Sequence, residues 1–309
     1  MTTSNPLLAA LFVSILAAPS TSRAADKLKV VATTPDFAAV ARVVGGDGVE
    51  VTTLARPTED PHFVDAKPSH IVTLNRADVL IEGGADLEVG WLPPLMDGAR
   101  NPKIAPGAPG HIRASEGIQL LDVPAVLDRS QGDVHGAGNP HLMMDPANAR
   151  IVAQRVADAF CGLDAPSCSV YRANLVAFQA KLDAKTQEWT VALAPFTGMP
   201  IVTYHPTWRY FAARFGLVSE IFLEPKPGIP PSPPHLADVM QQMNEQKIRL
   251  VLVEPFQSRK TAEAVSARTN AVVVDVCQFP GGLPGTENDY IALIDADVKA
   301  IVAGLQAAK

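Results

Sequence analysis

The chain has 309 residues, a length that suits two lobes of about 150 residues each better than one compact unit. With 47% hydrophobic and 19% charged residues it has an ordinary globular composition, which excludes a largely disordered chain. The formal charge is −6 and there is no basic tract to follow a phosphate backbone, which argues against a nucleic-acid partner.

The opening residues read as an export signal. The apolar run from Leu7 to Ala18 is too short for a bilayer, which takes roughly 20 helical residues. Ser22-Arg23-Ala24 then fits a small-x-small cleavage site, so 1–24 is assigned as a cleaved signal peptide, although no Lys or Arg precedes the run. No Cys follows to take a lipid anchor, and no later stretch is apolar enough to span a membrane. An exported, soluble, periplasmic protein is expected.

Strand and helix patterns then alternate. Strands are predicted over 27–34, 49–55 and 77–84, with helices over 36–46 and from Pro68 through Arg76. "EVGWLPPLMDGAR" and "IQLLDV" (118–123) continue the alternation less regularly, and the stretch 107–140 is glycine-rich and loose. Asp145 is a candidate N-cap with Pro146 at the first helical position, and Val152, Val156, Ala159 and Phe160 share one face of the helix that follows. A second long helix, about 169–194, carries Tyr171, Leu175, Phe178, Leu182 and Trp189 at helical spacing. Alternation restarts with strands over 199–205, 217–224, 248–255 and 271–277, interleaved with helices over 207–216, 234–246, 259–269 and 289–305. The expected architecture is two open α/β lobes (25–168 and 195–309) with mainly parallel sheets, joined by one long rigid helix (169–194).

Three cysteines are present. Cys161 and Cys168 lie close enough in sequence to close a short disulfide loop in an oxidising compartment, or to remain two buried thiols; Cys277 is the odd one.

In open α/β sheets ligands bind beyond the carboxyl ends of strands, so polar residues between a strand and a helix are the first candidates. His62 follows the 49–55 strand, His205 ends the 199–205 strand, and His141 precedes the Asp145 cap. Each has a proline neighbour (Pro61, Pro206 and Pro140), which stiffens the loop and lowers the entropy lost on holding a ligand. Three neutral imidazoles converging on one point form a recurrent zinc donor set with one position left for a carboxylate or water.

The stretches "DPHFVDAKPSHIVTLNRADVLI", "GNPHLMMDPANA", "VTYHPTWRYFAARFGL" and "LVLVEPFQSRKTAEAVSARTNAVVV", in that order, resemble the zinc/manganese solute-binding proteins of ABC-type metal importers. The resemblance implies two lobes around a connecting helix, a metal ion held between them, and ligands at His62, His141 and His205. It implies small lobe movement, Zn²⁺ in preference to Mn²⁺ because manganese-preferring members tend to carry Glu where this chain has His205, and a membrane permease as partner. A monomer is expected, and no enzymatic activity.

Two departures bear on the site. Relatives usually supply a fourth ligand, an aspartate after the last strand of the second lobe, whereas Asp275 here lies within the strand and Cys277 and Gln278 fall nearest. Glu224, at a strand end, is the candidate fourth ligand on placement, with Gln278 or a water as alternatives; Glu254 is expected to orient an imidazole. Second, the acidic, His-rich loop of many zinc-type relatives is reduced to "DRSQGDVHGAGNPH", with Asp133 and His135, the latter expected to be a solvated side chain. His70, His111 and His235 are given no role. A zinc hydrolase is the competing class, opposed by the lack of a His-Glu-x-x-His helix or a Gly-x-Ser-x-Gly elbow; an adhesin is a further alternative.

Overall fold

The computed structural model describes residues 26–126 and 135–308, together with Met1. The export signal and Asp133 lie outside the described residues. In the first lobe β1 (Leu28–Ala32), β2 (Val49–Thr53), β3 (Val79–Glu82) and β4 (His111–Arg113) form one parallel sheet in the order β2-β1-β3-β4. Val30 sits opposite Val51 on one side and Val79 on the other. Val79, Leu80 and Ile81 are fully buried, as strands covered on both faces must be. The covering helices α1 (Pro35–Gly45), α2 (Pro68–Asn75) and α3 (Leu92–Ala99) each carry proline in the first turn, where its fixed φ suits a helix start and its missing N–H costs nothing.

The fourth strand is not where "IQLLDV" suggested. It is the three-residue β4, which pairs Leu80–Glu82 with His111–Arg113 at the sheet edge. With one buried residue, Ile112, such a strand has no alternation to read.

The second lobe repeats the plan. β5 (Pro200–Thr203), β6 (Val218–Phe222), β7 (Leu250–Val253) and β8 (Val272–Asp275) form a parallel sheet in the order β6-β5-β7-β8. The chain links them through α6 (Arg209–Phe215), α7 (Pro233–Glu245) and α8 (Arg259–Thr269), and closes on α9 (Tyr290–Ala307).

Between the sheets run α4 (Pro146–Leu163) and the 26-residue α5 (Cys168–Leu193). α5 packs against α1, α4 and α9, burying a stripe of Tyr171, Leu175, Phe178, Leu182, Trp189 and Leu193. Their spacings of three, four and seven keep them on one face of a 3.6-residue helix. One hydrophobic core consequently runs from Val30 and Val79 of the first sheet through Leu182 and Trp189 to Leu252 and Ile301 of the second lobe. Cys161 and Cys168 form a disulfide across the α4–α5 turn, and Cys277 is a buried free thiol. No helix among the described residues is long and apolar enough to cross a membrane.

Candidate metal centre

The loop after β2 carries His62. Asp60 Oδ1 accepts from the His62 backbone N–H at 3.0 Å, and Trp91 Nε1 donates to Pro61 O at 2.9 Å, which fixes the turn on both sides of the proline. His141 sits at the head of a 3₁₀ turn, its N–H bonded to Asn139 Oδ1 at 3.0 Å. Asp145 caps α4 through Ala147 N at 2.8 Å and takes a two-point ion pair from Arg214 at 2.6 and 2.7 Å, so the turn aiming His141 is held from both lobes. His205 leaves β5 in extended conformation; Thr203 Oγ1 donates to its carbonyl at 2.8 Å, and Thr207, two residues on, donates to the buried Glu254 at 2.9 Å.

The three rings meet. Their centroids lie 5.1–5.2 Å apart, and one ring nitrogen from each lies within 4.8 Å of the others. His141 is 5% exposed, and the side chains of His62 and His205 are 10% and 12% exposed. Behind each ring stands one oxygen acceptor on Nδ1: Asp60 on His62 at 2.8 Å, Gln278 Oε1 on His141 at 3.0 Å, and Glu224 on His205 at 2.9 Å. A hydrogen-bonded Nδ1–H fixes the tautomer and leaves the Nε2 lone pair for an electrophile. The His141 Nε2 is buried without a partner, an orphan group aimed into the cluster.

Burial, reinforced by the His205, His62 and His135 rings, holds His141 well below the ordinary histidine range; burial also lowers His205, with Glu224 pulling the other way. Burial would raise Asp60, but its bonds to the His62 ring and backbone together with the charges of His62 and His205 hold it below the usual carboxylate value. The cluster thus sets three imidazoles against two acidic side chains, a donor set and charge balance suited to a dication. Cavities of about 350 and 340 Å³ flank it, the first lined by His135 and Asn139 and the second by Asp60, Glu224 and Gln278. A larger cavity, about 600 Å³, lies against β3 and β4 and holds none of the three rings.

The other expected residues take different places. Glu224 and Gln278 each bond the Nδ1 of a histidine, behind the ring rather than at the point where the rings meet. Glu254 accepts from Thr207 and from Gln257 rather than from an imidazole. Asp275 pairs with Arg259 at the surface. His135, expected in solvent, instead sets its Nε2 3.1 Å from His62 Nε2. Asp60 was passed over, and its signal was local: an acid two residues ahead of a histidine can bond both that residue's N–H and its ring.

Paired parallel-sheet lobes sharing a long helix, with ligand-type side chains gathered at the loops between them, define a two-lobed substrate-binding protein. The family described as ZnuA, zinc-uptake complex component A, periplasmic, matches residues 30–304, and the chain belongs to it. Members are substrate-binding components of metal ABC transporters, which work with a membrane permease. The iron-binding protein YfeA of Yersinia pestis is 28% identical over 298 residues, covering 94% of this chain and 90% of its own length. The manganese ABC transporter substrate-binding lipoprotein PsaA of Streptococcus pneumoniae is 24% identical over 312 residues, covering 97% and 96%. Among solved structures, a crystal structure of ZnuA matches with TM-score 0.76 at 25% identity, covering 90% of this chain and 99% of that one. The Mn-bound periplasmic metal binding protein of Candidatus Liberibacter asiaticus shares the fold, with TM-score 0.75 at 23% identity, covering 90% of this chain and 100% of that one.

Proposed function

We propose that the chain is a periplasmic Zn²⁺ receptor that binds the ion through His62, His141 and His205 and delivers it to an ABC permease. The observation that carries this reading is the convergence of three imidazoles from three loops, each with its Nδ1 held by an oxygen acceptor. Glu224, Gln278 and Asp60 then act through the rings they hold, orienting them and raising their basicity, rather than touching the ion. A donor set of imidazole nitrogens supports zinc over the harder, oxygen-preferring manganese. The relatives' names divide among zinc, iron and manganese, so the metal is a matter for direct measurement. The chain acts as a monomer, exported with residues 1–24 removed, and 25–168 and 195–309 are its two lobes.

Competitive titration of metal-free protein with Zn²⁺ and Mn²⁺ tests the assignment. Zinc is expected to displace manganese, and His141→Ala to lower zinc affinity at least ~10-fold, in keeping with what loss of a metal-site partner costs. A manganese preference would sink the zinc reading, and an unchanged titration for the variant would remove His141 from the site.

A further inference from the structure

The cavity of about 600 Å³ against β3 and β4 shares no lining residue with the two cavities that flank the histidine cluster. Its size falls within the roughly 300–1,000 Å³ range of small-molecule sites. We infer that it binds a small organic amine, with an apolar body lying against α3 and a protonated amino group on the Glu82 carboxylate.

The strand register builds the floor of the cavity. Glu82 ends β3 opposite Arg113, and Leu80 stands opposite His111. Side chains alternate across a strand, so Glu82 shares the face of Leu80, which packs in one cluster with Leu92 and Leu95 of α3. β4 is only three residues long and ends the sheet order, so the layer between it and α3 is left unfilled. Leu92 and Met96 of α3, with Pro102 and Pro106 of the segment leading to β4, form the apolar wall. The prolines are rigid, whereas Met96, only partly buried, has the rotatable bonds to fit itself to a ligand.

Glu82 is the polar anchor. Its Oε1 takes the ion pair from Arg113 Nε at 2.9 Å and lies 3.2 Å from His111 Nε2, off the line of a hydrogen bond. Among the described residues nothing bonds its Oε2, and the side chain keeps 13% of its surface exposed. The carboxylate is therefore held through one oxygen, with the other left to accept. Glu82, Asp86, Glu88 and Asp97 outnumber the lining arginines, Arg100 and Arg113, so the cavity attracts a cation. Glu88 already feels the excess: burial raises its carboxyl from 4.5 to about 7, the Thr33 bond lowers it, and the Glu82 charge raises it again. A cation on Glu82 offsets that repulsion. The occupant is organic rather than a metal ion, because the described residues gather no second trio of metal-type side chains and the wall is apolar. An ammonium group donates to the open carboxylate oxygen, and a hydrocarbon body covers Leu92 and Met96.

Titration of the purified protein with phenethylamine, phenethyl alcohol and phenylacetate, followed by calorimetry and by methyl NMR spectra of labelled methionines, tests the inference. The amine is expected to shift the Met96 methyl signal and to bind at least ~10-fold more tightly than the alcohol or the carboxylate, in keeping with a hydrogen bond between charged groups. Glu82→Gln should weaken the amine at least ~10-fold and leave the alcohol unchanged. Met96→Lys, which places a second ammonium in the cavity, should abolish amine binding. Both variants are expected to keep a cooperative melting transition, and the wild-type comparison of the three probes decides by itself if a variant fails to fold. An unshifted Met96 methyl, an amine bound no more tightly than the alcohol, or folded variants that bind it as the wild type does would overturn the inference, whatever the outcome at the histidine cluster.

Discussion

Each histidine of the cluster became interpretable only with the group behind it. The rings were not legible one by one: a proline beside a histidine at a strand end or helix entrance makes each a candidate at the site-bearing edge of an open sheet, and it is the resemblance of the surrounding stretches to metal receptors that joins the three. Their partners were legible unevenly. Asp60 is two residues from His62, but Gln278 reaches His141 across 137 positions and Glu224 reaches His205 across 19, and no local pattern shows such a meeting. Glu254 was expected to hold a ring and instead holds Thr207, the middle residue of the turn after His205. Burial raises its carboxyl from 4.5 to about 8; the Thr207 bond pulls it down and the Asp60 carboxylate pushes it up. Between those two values the folded chain keeps a proton that the unfolded chain has lost. Stability therefore falls as pH rises from about 4.5 to about 8, and this contribution is level above. Glu254→Gln removes the ionisation, so the variant gains on the wild type across that window, by up to roughly 1.4 kcal/mol per pH unit. Urea midpoints of the metal-free chains at the two ends of the window measure the gap, and a gap that does not grow with pH would refute the protonated state of Glu254.

Long or strongly patterned elements were readable, and short edge elements were not. α5 announced itself through its apolar residues every three or four positions over 26 residues. The buried central strands did so through Val/Ile/Leu runs such as Leu250–Val253. β4 failed because three residues carry no period and its pairing with β3 is a tertiary fact. The α4–α5 turn was readable only to the point of two alternatives for its cysteines, and the structure shows the disulfide. Closing so short a loop, with a sequence separation of 7, constrains the unfolded chain by only about 2 kcal/mol. Replacing both cysteines by serine is expected to lower the melting temperature by about 4–8 °C for a chain of this size, with zinc affinity unchanged because the bridge lies at the far end of α4 from His141. Differential scanning calorimetry with a parallel zinc titration checks both halves. A loss of zinc binding would show that the turn does more than join two helices.

On the scale of the whole molecule, the question is how far the lobes move when metal arrives. A hinge protein keeps its lobes on separate cores and joins them through a few backbone positions able to absorb large φ/ψ changes. Here a single core passes through α5 from one sheet to the other, and a swing of the lobes would have to open it. Polar ties cross the same boundary close to the site. Arg209 grips Asp122 through Nε and Nη2, Arg214 grips Asp145, Tyr210 Oη donates to Asn139 O at 2.7 Å, and Tyr290 Oη donates to Met143 O. Asn139 and Met143 bracket His141, so the ties fix the ring that a closing motion would need to move. The rings also already stand within reach of a common centre, which leaves little distance for closure to cover. Metal binding should therefore work by small side-chain adjustments, while the lobes stay where they are. Small-angle X-ray scattering of residues 25–309, whose radius of gyration should be about 19 Å, is expected to differ by less than about 0.3 Å with and without zinc. A contraction on the order of an ångström or more would mean that the lobes do close as hinged bodies and that the continuous core around α5 opens in the metal-free state.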